Sequence, residues 1–211
     1  DSCIADKAIK GVIITSAKAD FAAGMDLAVI AKTKEMNPDN PAQGCFTMVM
    51  QIHHILRKIE LAGMDFKTKK GGKPFVAVLP GTALGIGLEI PLACHHIIAT
   101  DNPKAKIGLP EIKVGIFPGA GGTTRLVRKM GAMAASPFLL QGKLSTPPQA
   151  LAAGIIDAVS HTALQDAKTW IMAAQDADLL KPWDAKGYKM PGGTPYHPTG
   201  FMTFVGASAM V

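Results

Sequence analysis

Apolar residues fall into two rhythms along the chain. Gly11-Val-Ile-Ile-Thr-Ser16, Pro74-Phe-Val-Ala-Val-Leu79 and His96-Ile-Ile-Ala-Thr100 are short, continuous and largely β-branched or aliphatic. Such runs predict strands buried on both faces. After the turn cluster Asn37-Pro-Asp-Asn-Pro41, Phe46, Val49, Ile52, Ile55, Leu56 and Ile59 recur at helical spacing. They predict an amphipathic helix, closed by Gly63. Further helices are expected from near Asp26, over 86–94, over 123–130 with Gly131 as its stop, from Ser145-Thr-Pro-Pro148, and over 162–175. Pro91 fits the second of these only in the first turn, where a missing N–H costs little. Strands alternating with helices predict an α/β fold.

Composition narrows the class. Of 211 residues, 48% are hydrophobic and 18% charged, which excludes a disordered chain and suits one domain or one plus a piece of another. The longest uncharged apolar stretch, Phe75 to Leu88, contains Pro80 and three glycines and ends at Glu89, too short for a spanning helix. Cys3, Cys45 and Cys94 are odd in number and far apart, the usage of a reduced, cytoplasmic protein. No secretory leader is visible at the first residues. The net charge of +6 attracts anions, but its lysines are spread out and lack interleaved aromatics. A solvated face or a phosphate-bearing ligand is therefore a better reading than nucleic acid. From Pro182 the chain turns to linker composition, and both ends are abrupt, so a fragment of something longer is expected.

Candidate chemistry begins with a charge desert. Between Pro74 and Thr100, Glu89 is the one Asp, Glu, Lys or Arg, where average composition would place about seven. A carboxylate there needs a partner or a task, because burying it alone is costly and raises its pKa into the range useful for proton transfer. The simpler alternative is a place on the exposed stripe of its helix, or a distant lysine partner. Glu111, after Pro110, is a second candidate, with a surface pair to Lys113 as its simpler reading. Were the two to converge, they could share a water as acid and base. Gly85-Ile-Gly87 offers backbone N–H groups to an oxyanion, but Gly85-x-Gly87-x-x-Ile90 lacks the third glycine of a dinucleotide fingerprint. A nucleotide-binding α/β domain is therefore the weaker alternative. The adjacent pairs His53-His54 and His95-His96 cannot chelate a metal from one helix face, and they read as core or surface residues.

Taken in order, Gly11-Val-Ile-Ile-Thr-Ser, Asp20-Phe-Ala-Ala-Gly-Met-Asp-Leu27, Ala83-Leu-Gly-Ile-Gly-Leu-Glu-Ile90, Gly108–Leu126 and Gly142–Asp157 resemble the crotonase (enoyl-CoA hydratase/isomerase) family. Helix 42–63 and the segment around Trp183 resemble more narrowly the N-terminal hydratase part of multifunctional fatty-acid β-oxidation proteins. The resemblance implies a spiral of ββα units over residues 1–180, truncated at its N-terminus, and a linker over 181–211 toward a 3-hydroxyacyl-CoA dehydrogenase.

It further implies an acyl-CoA thioester substrate and oligomerisation, with no cofactor for the hydratase step and NAD only in the following domain. By motif position the catalytic pair falls on Glu89 and Glu111, and the oxyanion N–H groups on Met25 and Ile86. The substrate-binding positions fall on Ala23, Gly24, Asp26, Leu27, Gly85, Pro110 and Gly119. Lys32 and Lys34 are candidates for the CoA phosphates. Both glutamates being present favours hydration, with Δ3-to-Δ2 isomerisation as a second activity. A non-catalytic RNA- or CoA-binding relative of the fold is the alternative. The chain departs from the family at Ile86, where a glycine is usual, at Ala28, where many relatives have lysine, and at Pro91.

Overall fold

The computed structural model describes residues 1–26, 28, 29, 32, 35 and 37–209. Four parallel strands form the main sheet in the order β1 (Val12–Ile14), β2 (Phe75–Leu79), β4 (His96–Thr100), β7 (Ala158–Ser160). β2 lies inside the sheet and is buried at all five positions. β1 is only half-buried, correcting the expectation of burial on both faces. Among the described residues it lies at the sheet edge, with a strand on one side. Helix α7 (Ala163–Ala173) covers one face through Ala163 and Ala167 against Val76, Val78 and Ile98. The main core fills the other face with Ala77, Leu79, Leu88, Leu92, Ile97 and Leu126.

A second sheet, β3 (Ala83–Leu84), β5 (Ile107–Gly108) and β6 (Leu144–Ser145), stands at the C-terminal end of β2. β3 pairs with β5 in parallel and β5 with β6 antiparallel. Helix α1 (Ser2–Ala5) precedes β1, and the long α2 (Pro41–Leu61) follows it. Asn40 caps α2 through a bond from the Gln43 N–H, as an asparagine before a proline start does. The left-handed stop falls on Ala62, φ 46°, one residue before Gly63. The apolar stripe of α2 is unevenly used: Leu56 is buried, while Phe46 and Ile55 are exposed.

Helix α3 (Ile86–Ala93) carries Glu89 in its first turn, and Pro91 lies inside the helix rather than in that turn. The proline thereby removes the N–H that would have met the Gly87 carbonyl. Next come α4 (Gly122–Met130), α5 (Ala132–Leu140) and α6 (Pro147–Ala152). α6 starts on a Thr146–Gln149 capping box. The segment expected to be a linker is folded back in part. After α8 (Asp176–Leu179), Lys181 is buried and donates to the carbonyls of Leu92 and Cys94 at the end of α3. Helix α9 (Pro198–Ser208) lies against α5. Among the described residues no helix is long and apolar enough to cross a membrane.

Candidate active site

Two backbone segments set the site. The Ala22–Ala83 bridge aligns the segment Phe21–Met25 in parallel with β3, and the Leu84 N–H donates to Ala22 O at 2.9 Å. Beyond that bridge Gly24 lies beside Gly85, and Met25 and Ile86 are the next residue along each chain. A methyl placed on Gly85 would lie 3.7 Å from Gly24 Cα. Gly85 adopts φ 57°, turning the chain from β3 into α3. Among the described residues no carbonyl accepts the N–H of Met25 or Ile86. Ile86 opens α3, so its N–H is one of the helix's unpaired donors. Isoleucine thus serves this position with ordinary backbone angles, because the turn itself is made by Gly85.

Glu89 is 2% exposed and, among the described residues, has no lysine partner. Its Oε1 accepts the N–H groups of Ala120 at 2.8 Å and Gly122 at 2.7 Å. A side chain on Gly122 would sit 3.0 Å from Glu89 Oε1, so glycine is what lets this amide reach the carboxylate. Burial pushes the Glu89 carboxyl up to about 7 despite those bonds, and the Glu111 charge adds to the rise. Arg125 pulls it down.

Glu111 follows Pro110 in a 3-10 turn, Glu111–Val114. It makes no ion pair with Lys113 among the described residues. Its Oε1 lies 3.1 Å from where a methyl on Gly85 would be, so the carboxyl faces the start of α3. Its Oε2 is buried without a hydrogen-bond partner. Burial raises its pKa, partly offset by its own backbone N–H. Gly119, the residue before Ala120, has an N–H that no described carbonyl accepts.

These contacts bring Glu89, Glu111, Gly24 and Gly85 to one locus, with Met25, Ile86, Pro110 and Gly119 as the chain neighbours of Gly24, Gly85, Glu111 and Ala120. Ala23 is exposed on the turn leading to it. Asp26 is exposed too, with Oδ1 accepting the Ala28 N–H at 2.9 Å. Lys32 is exposed. Leu27 and Lys34 lie outside the described residues.

Behind the locus is a cluster that the sequence reading missed. Glu60, 4% exposed, takes Arg125 Nε at 2.8 Å and Arg57 at 2.8 Å, and Arg57 also grips Asp184 with two bonds of 2.8 Å. His53, Arg57 and Glu60 occupy one face of α2 at i, i+4 and i+7. That spacing was readable as a polar seam on an otherwise apolar stripe.

The family model for enoyl-CoA hydratase/isomerase matches residues 1–177. A fatty acid oxidation complex subunit alpha from Shewanella amazonensis is 36% identical over 156 residues, covering 74% of this chain and 20% of that protein. An enoyl-CoA hydratase structure from Geobacillus kaustophilus superposes with TM-score 0.64 and 31% identity, over 82% of this chain and 60% of that one. One from Polaromonas sp. reaches TM-score 0.67 at 23% identity, over 87% and 67%; at that identity it speaks for the fold alone. The chain spans about a fifth of the curated relative's length and three fifths of the Geobacillus chain. With the sheet pairings and the family match in agreement, the fold is that of the crotonases, and the chain belongs to the enoyl-CoA hydratase/isomerase family.

Proposed function

We propose that the site hydrates 2-enoyl-CoA to 3-hydroxyacyl-CoA as a step of fatty-acid β-oxidation. The observation that carries this reading is the unequal pair of carboxyls. Glu89 has two amide donors on one oxygen, which favour its ionised form, whereas Glu111 has a buried oxygen with none. An acyl chain filling the locus would withdraw water from half-buried Glu111 more than from Glu89, which is already enclosed. Substrate binding therefore raises Glu111 further and sorts the pair into a base, Glu89, and an acid, Glu111.

In the reaction, Glu89 takes a proton from water as the water oxygen bonds to the β-carbon. The double-bond electrons move onto the thioester oxygen, held by the N–H groups of Met25 and Ile86. Each such donor is worth about 3 kcal/mol in the transition state. The enolate then collapses as Glu111 delivers its proton to the α-carbon. Proton exchange with solvent restores neutral Glu111 and ionised Glu89. No cofactor enters this step; in our reading NAD belongs to a dehydrogenase domain joined beyond the linker, in a cytoplasmic oligomer. Glu111 alone can move a proton between carbons, which gives Δ3-to-Δ2 isomerisation as a second activity.

The test is loss of the conjugated-thioester absorbance of crotonyl-CoA on the full-length protein. Glu89→Gln and Glu111→Gln should each abolish hydration while leaving the fold intact. An active double variant, or a wild type that ignores crotonyl-CoA while binding RNA with a steep salt dependence, refutes the assignment.

A further inference from the structure

The loop that grips Glu89 is itself gripped from behind, carbonyl by carbonyl. The Gly119 carbonyl lies 2.9 Å from His53 Nε2, and the N–H of that same peptide unit, on Ala120, is the one that reaches Glu89 Oε1. A carbonyl accepts only, so Nε2 carries the ring proton. The Ala120 carbonyl takes the Arg125 guanidinium at 2.8 Å, and the Gly121 carbonyl takes the Arg125 backbone N–H at 2.9 Å. The N–H paired with the Gly121 carbonyl, on Gly122, is the second donor to Glu89. Three successive carbonyls thus point to His53 and Arg125, while two of the amides point to the carboxylate. Arg125 is fixed by buried Glu60, and Glu60 by Arg57 and through it Asp184.

We propose that His53 and Arg125 are positioning residues, which aim and polarise the Ala120 and Gly122 amides that hold Glu89 ionised for its role as base. The inference rests on the hydratase reading for the word base, but not for the geometry. A donor bonded to one end of a peptide strengthens the bond made by its other end. It also removes the loop's freedom to turn its amides away. Among the described residues the charged groups facing Glu89 are Glu111, from the 3-10 turn, and Arg125, from α4. His53 and Glu60 of α2 lie behind the loop, and Lys181 binds at the far end of α3.

His53 reaches Glu89 through the Gly119–Ala120 peptide, its ring bonded to the carbonyl and the carboxylate to the N–H. Arg125 supplies both charge and a bond, which Arg125→Lys separates from Arg125→Met.

The experiment measures the pH dependence of kcat/KM for crotonyl-CoA in the full-length protein and follows the Glu89 carboxyl by carbon NMR, assigned with Glu89→Gln. In His53→Leu the acid limb should move about one pH unit alkaline, a loss of about tenfold below the midpoint, with KM nearly constant. His53→Gln, whose amide can still donate to the carbonyl, should restore most of it. Arg125→Met should move the limb further than Arg125→Lys. If Arg125→Met does not fold, His53→Leu and its rescue decide alone. Folded His53→Leu and Arg125→Lys proteins with unmoved limbs and an unmoved Glu89 resonance overturn the proposal. An inactive wild type whose Glu89 titration still shifts in His53→Leu sinks the hydratase reading and leaves the positioning role standing.

Discussion

Glu89 should weaken the native protein wherever it is ionised, and Glu89→Gln should reveal by how much. Its carboxyl moves from 4.5 to about 7 on folding, chiefly because burial penalises the charge. That difference is worth about 3 kcal/mol. A carboxyl raised in the folded state contributes its stability in full below its unfolded value and loses it as pH rises through about 7. Glutamine keeps an acceptor oxygen for the Ala120 and Gly122 amides. The variant should therefore match wild type near pH 4.5, exceed it by about 2 kcal/mol at pH 6, and exceed it by about 3 kcal/mol at pH 8. In melting temperature the last figure is about 6–12 °C for a domain of this size. Calorimetric scans of both proteins from pH 4.5 to 8 supply the measurement. A difference that is flat with pH, or of opposite sign at pH 8, would refute the claim that Glu89 is buried as a costly charge.

Three further outcomes are expected. Glu89→Gln should retain Δ3-to-Δ2 isomerisation of a 3-enoyl-CoA while Glu111→Gln loses it, read by the appearance of the conjugated thioester absorbance; equal loss in both would tie isomerisation to the pair. Gly85→Ala should cost about 1 kcal/mol or more of stability, because φ is 57°. It should also cut kcat at least tenfold, since its methyl would press on Glu111 Oε1 at 3.1 Å; chemical denaturation and steady-state rates check both parts. Iodoacetamide should label exposed Cys3 in the native protein and spare Cys94, whose thiol burial pushes up to about 12. Mass spectrometry after brief labelling reads the difference, and early labelling of Cys94 would show that the end of α3 opens.

What was legible in the sequence and what was not divides along sequence separation. The strands Phe75–Leu79 and His96–Thr100 announce themselves because a run buried on both faces has no reason to contain a charge. Glu89 stands out for the same reason: a lone carboxylate in such surroundings must be satisfied by something. Its partners lay beyond reach. The donors are backbone amides of Ala120 and Gly122, 31 and 33 residues away, and an amide leaves no mark in a sequence. Glu60 and Arg125, 65 residues apart, look in isolation like ordinary helix-surface charges. Only the fold makes them a buried pair.

The oxyanion roles expected of Met25 and Ile86 came from likeness to a family. The structure adds a register, in which the Ala22–Ala83 bridge is followed by a turn at Gly85 and, among the described residues, neither N–H meets a carbonyl. Any side chain can occupy such positions so long as the turn is made by the residue before. The usual glycine at position 86 is therefore dispensable to the backbone donor, whereas Gly85 and Gly122, pressed against the two carboxyls, are not.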